Sequence, residues 1–340
     1  MYKIKQIPED FVVEEVSKLN ISDKGMYTYA LLTKRDYTTE KAVMTICQAL
    51  RLDKRNINYA GLKDKKAITK QFISLKGVSK ERIESLELRD INLNFVGFGN
   101  ERLNIGCLES NKFRITIRTL TDEKISLIKQ APNYFDEQRF SQCNKEVGKL
   151  ILKKNFEEAI NKVLESELEN NSRIDQHLFN NKNDFVGALL LLSRNTIRMY
   201  IHAYQSYLFN ETVKRFIIKN FEYYHVVKYS EGELVFPREE LANKKVKIIG
   251  FGTKLGLDEI DEIIASLMEE EKITQRDFII PQLKQLSAEG SERNLLFEVE
   301  NFKFGKFLSD ELNHGKKKVC LEFELQKGSY ATIVVKALFA

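Results

Sequence analysis

"INYAGLKDKKAITKQFISL", residues 57–75, sets one acid, Asp64, between Lys63 and the pair Lys65–Lys66, just after a flexible Gly61. The flanks are β-like: "INYAG" reads as a short strand running into the loop, and "ITKQFISL" (68–75) as the strand leaving it. Asp64 is therefore expected on a turn between two β-segments, where a sheet holds a loop residue rigidly. "GLKDKK" is also what a solvated surface turn contains. The alternative is a carboxylate kept charged by its lysines where a negatively charged polymer lands. Such an acid can act as nucleophile or base while lysines such as Lys63 contact phosphates.

Outward from this loop the first third continues in mixed strand and helix. "DFVVEEV" (10–16) and "MYTYALLT" (26–33) are β-rich, and Ala42, Val43, Ile46, Cys47 and Leu50 recur at helical spacing behind Thr39 as N-cap. Three further period-two segments follow: Ile91-Leu93-Phe95, Leu103-Ile105-Cys107 and Asn111-Phe113-Ile115-Ile117. Turn-rich breaks between them predict an antiparallel arrangement. A helix is expected from Thr121 to Gln130, stopping at Pro132. From "PNYFDEQRF" (132–140) to about residue 220 the pattern is helical, with Ile197, Ile201, Tyr204 and Leu208 on one face. A β-rich patch (245–252) and an acidic helix (258–271) come next, and strands return at 293–304 and 317–326. This order predicts an α+β domain interrupted by a mostly helical insertion.

Composition bounds the function classes. The chain has 340 residues, 43% hydrophobic and 30% charged, with a net charge of +5. That favours a folded protein over a disordered one and points only weakly to nucleic acid. Its four cysteines form no CxxC pair and its four histidines no HxxxH pair, so neither a metal site nor a metal-dependent enzyme is expected. Scattered single cysteines suit a reducing cytoplasm. The N-terminus lacks an apolar signal core, and the longest apolar run, "FVGALLLL" (185–192), is too short to span a bilayer. No heptad seam is visible, which favours a monomer. No GxGxxG follows a strand, which counts against a methyltransferase.

Two more segments bear on chemistry. Phe113 shares a strand face with Asn111, Ile115 and Ile117. That suits a core residue, yet Asn111 on an apolar face needs a hydrogen-bond partner that a base edge could supply, with Phe113 stacking on the base. "NYFDEQRF" (133–140) interleaves aromatics with Arg139, as RNA-binding surfaces do and as packed aromatic junctions also do. "AYQSYLFN" (203–210) reads as core.

These residues together resemble the TruD-type pseudouridine synthases. "AGLKDKKAITKQ" is similar to the family pattern A-G-x-K-D-x-x-A-x-T-x-Q through Ala60, Gly61, Lys63, Asp64, Ala67, Thr69 and Gln71. "NYFDEQRF" resembles N-Y-F-G-x-Q-R-F, and "SNKF" (110–113) resembles G-N-x-F. "PEDFVVEE" (8–15) and "KGSYATIVVKAL" (327–338) also match, so the resemblance covers residues 3–340. It implies isomerisation of uridine to pseudouridine in tRNA, usually at position 13, without cofactor or metal.

The resemblance implies Asp64 as the catalytic aspartate. It places Phe11, Asn111 and Tyr330 around the target nucleotide, Phe113 on the uracil and Lys5 near the aspartate. The implied fold is the pseudouridine-synthase antiparallel α+β core in residues 1–133 and 288–340, with the family's insertion in 134–287. A non-catalytic RNA-binding or assembly protein retaining the fold is the rival reading. The chain departs from the pattern at Asp136, Ser110 and Ser141, each where glycine is usual. If the first of these positions has positive φ, Asp replaces Gly there at small cost, though its charge sits beside Arg139.

Overall fold

Phe11, Val13 and Glu15 alternate inward along the first strand, and this period of two organises the N-terminal sheet. The computed structural model describes residues 2–122, 124–140, 143–166 and 171–339. Within them the chain forms β1 (Phe11–Val16), β2 (Tyr27–Arg35), α1 (Thr39–Leu50), β3 (Ile57–Tyr59), β4 (Ile68–Lys76), α2 (Lys80–Glu84), β5 (Ile91–Gly99) and β6 (Ser110–Leu120). Next come β7 (Gln130–Pro132), α3 (Asn144–Leu152), α4 (Phe156–Glu165), α5 (Asn171–Asn180), α6 (Phe185–Leu190) and α7 (Arg194–Asn220). After β8 (Tyr224–Tyr229), β9 (Gly232–Pro237) and β10 (Lys245–Ile248) lie α8 (Glu259–Glu270), β11 (Ser291–Asn294) and β12 (Leu296–Glu298). The chain ends in β13 (Glu300–Phe304), β14 (Leu308–Ser309), β15 (Lys317–Gln326) and α9 (Ala331–Leu338).

The chain divides into two compact units, one of residues 2–130 and 298–331, the other of 131–297 and 332–338. The first is built on a sheet of order β13-β15-β6-β1-β4-β2-β5, with β14 on β15 and β3 on β4. The protein is α+β, but the sheet is not wholly antiparallel: β1 runs parallel to β4, Val13 opposite Thr69. The long connection through β2, α1 and β3 makes that pairing possible, since parallel neighbours need a crossover. Helix α1 lays Ala42, Val43, Ile46, Cys47 and Leu50 onto Ala30, Leu32, Ile73 and Leu75. Its N-cap is Thr38, whose side chain accepts from Lys41 N, rather than Thr39. The Thr39 hydroxyl serves the loop described below.

The second unit packs helices around α7, whose Ile197, Ile201, Tyr204 and Leu208 are all buried. Gly148 of α3 lies against the Tyr200 carbonyl, so any side chain there would force these helices apart. The "AYQSYLFN" stretch is core here, with Gln205 Nε2 donating to Ile249 O at 2.6 Å.

Two further sequence expectations are corrected. No helix occupies the described residues between Thr121 and Gln130. Val299 N donates instead to Lys129 O at 2.8 Å, and the backbone proceeds into β7. Leu103-Ile105-Cys107 is not a strand but a tight turn between two buried leucines, Leu103 and Leu108. Cys107 N closes it onto Asn104 O at 3.1 Å, with Gly106 at φ +92°. Hairpin β8–β9, turned at Ser230–Glu231 with Gly232 (φ +122°) opening β9, occupies a stretch between the helical run ending near 220 and the patch at 245 that the sequence pattern left unassigned. Ser141 lies outside the described residues.

Candidate active site

The loop between β3 and β4 carries Asp64, and buried side chains hold it in place. Lys34, wholly buried at the end of β2, donates from Nζ to the carbonyls of Tyr37 (2.6 Å), Asp64 (2.7 Å) and Lys63 (3.5 Å). Gln71 of β4 donates from Nε2 to Gly61 O at 3.0 Å and accepts through Oε1 from the Thr39 hydroxyl at 2.9 Å. Thr39 in turn accepts from Lys63 N at 3.0 Å. The loop's backbone groups at 61, 63 and 64 thus have fixed partners, which a solvated turn does not need. Burial pushes the Lys34 ammonium down to about 8, with Lys63 adding to the effect and Asp64 opposing it.

The Asp64 carboxylate faces Lys5, whose Nζ is 3.3 Å from Oδ1. The same ammonium stands 3.9 Å from the centre of the Phe11 ring. Lys5 has φ +55°, an uncommon conformation for a side-chain-bearing residue. Asp10 steadies the segment by accepting from Gln6 N and Ile7 N, each at 3.1 Å, and from Arg118 Nε at 2.8 Å. Arg118 also reaches Asp310 (2.7 Å) and Glu311 (3.1 Å).

Lys63 has a different environment from the one its sequence suggests. Its side chain is 5% exposed, with Nζ 3.3 Å from Glu15 Oε2 and a further hydrogen bond to Asn111 Oδ1. Burial lowers its pKa, against the opposing pull of Glu15 and Asp64. Asn111 therefore has a protein partner, and it lies opposite Glu15 in the β1–β6 register. Lys65 and Lys66, in contrast, are exposed.

Phe113 sits beside this group, half-buried. Its ring stacks on Phe323 (centroids 5.5 Å apart) and meets Phe11 edge-on at 6.1 Å. Phe11 itself is buried beneath Lys5. Tyr330 is half-buried and follows the turn after β15, where Lys327 N donates to Glu109 O at 3.2 Å. Ser110 is satisfied by a hydrogen bond to Glu324.

One unit therefore brings together Asp64, Lys5, Phe11, Lys63, Asn111 and Phe113. Among the described residues no group of three or more His, Cys, Asp or Glu is arranged to hold a metal ion, and no helix is long and apolar enough to cross a membrane.

A family model described as tRNA pseudouridine synthase D (TruD) matches residues 2–175 and 162–338. The chain belongs to the TruD family. It is 34% identical to a probable tRNA pseudouridine synthase D 2 of Methanocaldococcus jannaschii, over 99% of this chain and 91% of that protein. It is 28% identical to the tRNA pseudouridine synthase D of Aquifex aeolicus, over 99% and 98%. The crystal structure of a putative TruD from Methanosarcina mazei superposes with a TM-score of 0.71 at 27% identity, covering 99% of this chain and 93% of that one.

The TruD motif around Asp136 lies in the second unit. Asp136 has φ −98°, so glycine's freedom is not needed there. Its carboxylate is buried and pairs with Lys336 Nζ of α9 at 2.6 Å, which gives the added charge a partner. Arg139 belongs to the same unit, its guanidinium carbon 5.4 Å from the Phe135 ring.

Sequence reasoning missed Lys34, Thr39 and Glu15 as parts of the site. Parity along β2 could have flagged Lys34, which shares a face with Ala30 and Leu32.

Proposed function

We propose that this TruD protein isomerises uridine to pseudouridine in tRNA, at position 13, with Asp64 as the catalytic carboxylate and no cofactor. The observation that carries the reading is Asp64 itself: a carboxylate on a backbone fixed by Lys34, Thr39 and Gln71, with a lysine ammonium 3.3 Å away. The first unit, residues 2–130 and 298–331, is then the catalytic one; the expected core of 1–133 and 288–340 is wider, taking in 131–133, 288–297 and 332–338 from the second unit, and 134–287 is the family insertion.

The reaction breaks N1–C1′, turns the uracil and joins C5 to C1′. Nothing is oxidised, and the atoms of the product are those of the substrate. Two routes are open to Asp64: attack on C1′, forming a bond that the returning C5 displaces, or removal of a ribose proton. The freed uracil needs a flat apolar surface that allows rotation, and the half-exposed Phe113, backed by Phe323, offers one. Phenylalanine has no ionisable group, so the C5 proton leaves to Asp64, to another polar group or to water.

A uridine in a stem must first be extruded, at a cost of roughly a few kcal/mol. Exposed lysines such as Lys65 and Lys66 offset this through phosphate contacts. Phe11 acts from beneath, bracing Lys5 and Phe113, and Lys63 positions the loop through Glu15 and Asn111. Arg139 serves RNA from the insertion. The enzyme works as a cytoplasmic monomer on this reading.

The test is conversion of unmodified tRNA by purified protein with no added cofactor. Wild type should form pseudouridine at position 13. Asp64→Asn should form none while binding tRNA with little change. Turnover by Asp64→Asn would refute the site, and no turnover by wild type would favour an RNA-binding role without catalysis.

A further inference from the structure

Two large aliphatic side chains stand in solvent beside the Asp64 loop. Leu62, two residues before Asp64, is 66% exposed, and Ile105 is 81% exposed. Their backbones are tied together: Gly106 N donates to Ala60 O at 2.8 Å, and Gly61 lies against Leu108. Lys327 adds a third tie by donating from Nζ to Gly106 O at 2.8 Å. Ile105 therefore rides at the tip of a tight turn anchored by Leu103 and Leu108 and pinned to the segment that leads to Tyr330.

Exposed apolar side chains are ordinary on a protein surface, and Leu257 (96%) and Phe179 (83%) are more exposed than either; what sets Leu62 and Ile105 apart is that the segments carrying them are tied to each other beside Asp64. Here both aliphatics are presented on braced loops, with Lys65 and Lys66 exposed just beyond. An apolar tip flanked by lysines is complementary to a nucleic-acid helix, whose stacked bases are apolar and whose backbone is anionic. Side chains of this kind enter between base steps and hold a duplex open.

We infer that Leu62 and Ile105 form a wedge that enters the RNA stem where the target nucleotide leaves, keeping the helix parted while the uridine is at Asp64. The inference rests on the proposed pseudouridine synthase activity. It adds a specificity element: the wedge matters for a uridine that must be pulled out of a paired stem, and little for one already unpaired.

The experiment compares two substrates, a stem with the target uridine paired and the same RNA with that uridine in an internal loop. The paired-to-unpaired ratio of kcat/KM should fall roughly tenfold or more in L62A/I105A relative to wild type, since the variant must meet the unstacking cost unaided. Leu62→Phe, which supplies another apolar wedge, should restore much of the ratio in an Ile105→Ala background. A stem carrying 2-aminopurine next to the target should brighten on binding Asp64→Asn protein, and brighten less when the wedge is also truncated.

An unchanged ratio, or equal losses on both substrates, would overturn the wedge. Wild type inactive on both substrates would instead overturn the enzymatic reading. Both wedge residues are solvent-exposed, so their truncation leaves the core untouched.

Discussion

Lys34 Nζ donates to the backbone carbonyl of Asp64 at 2.7 Å from a wholly buried position on β2. The course of the loop that carries the Asp64 carboxylate therefore depends on a cation closed off from solvent. Lys34→Met should keep the fold but release the loop, lowering kcat by about 10²-fold, because displacement of a reacting group by about 1 Å costs that much. KM should change far less. Equal kcat in the variant, measured with circular dichroism as the folding control, would remove Lys34 as a positioning residue.

The same lysine makes stability depend on pH. It titrates near 10.5 when unfolded and at about 8 when folded, so between these values the unfolded chain holds more protons. The contribution of this group then rises as pH increases from about 8 to 10.5, and below 8 its full burial cost is present. Urea midpoints across this window should climb more for wild type than for Lys34→Met.

At the acid end, burial alone would raise Asp310. Hydrogen bonds from Thr119 N, Asn313, Leu312 N and Arg118 outweigh it and hold the carboxyl at about 2. Its stabilisation is complete above 3.8 and lost as pH falls through about 2. Asp310→Asn should flatten the acid limb of the urea-midpoint profile in that range. An unaltered limb would show that the carboxylate contributes nothing.

Removing Lys63 leaves the buried Glu15 carboxylate with the Ser17 hydroxyl but without its lysine. Lys63→Met should cost about 3 kcal/mol in chemical denaturation, with much of it recovered in K63M/E15Q, as expected when one partner of a buried ion pair is lost. The salt dependence of tRNA binding should keep its slope in Lys63→Met and become shallower in K65A/K66A, since only exposed lysines release counterions from RNA.

Arg118 poses a larger version of the same problem, because Asp10 and Asp310 are both buried against it. Arg118→Met should destabilise by roughly 3–5 kcal/mol. Near-wild-type stability in denaturant would mean that the two carboxyls find other partners.

The sequence made β1, β2, α1, β4 and β6 legible because each buries one face at its own period, and "INYAG" marked the short β3 on the other side of the acid loop. Pairing partners were not legible. Nothing in "FVVEEV" says that β1 runs parallel to β4, since burial on one face is compatible with either direction. Leu103-Ile105-Cys107 alternates by chance, with Leu103 and Leu108 as the true anchors and a positive-φ glycine between them. Lys63 read as a surface cation because its partner Glu15 lies 48 positions earlier, beyond any local pattern. Hairpin β8–β9 did carry a signal, two β-rich runs around "SEG", that helical neighbours obscured.

Strand β15 completes the first sheet by covering β6, Leu321 against Ile115 and Phe323 against Phe113. A ribosome must make every residue through Gln326 before that edge can close. Until then a nascent chain carries an open hydrogen-bonding edge backed by apolar side chains, which makes the late arrival of its C-terminal strands a point of exposure to misassembly during translation.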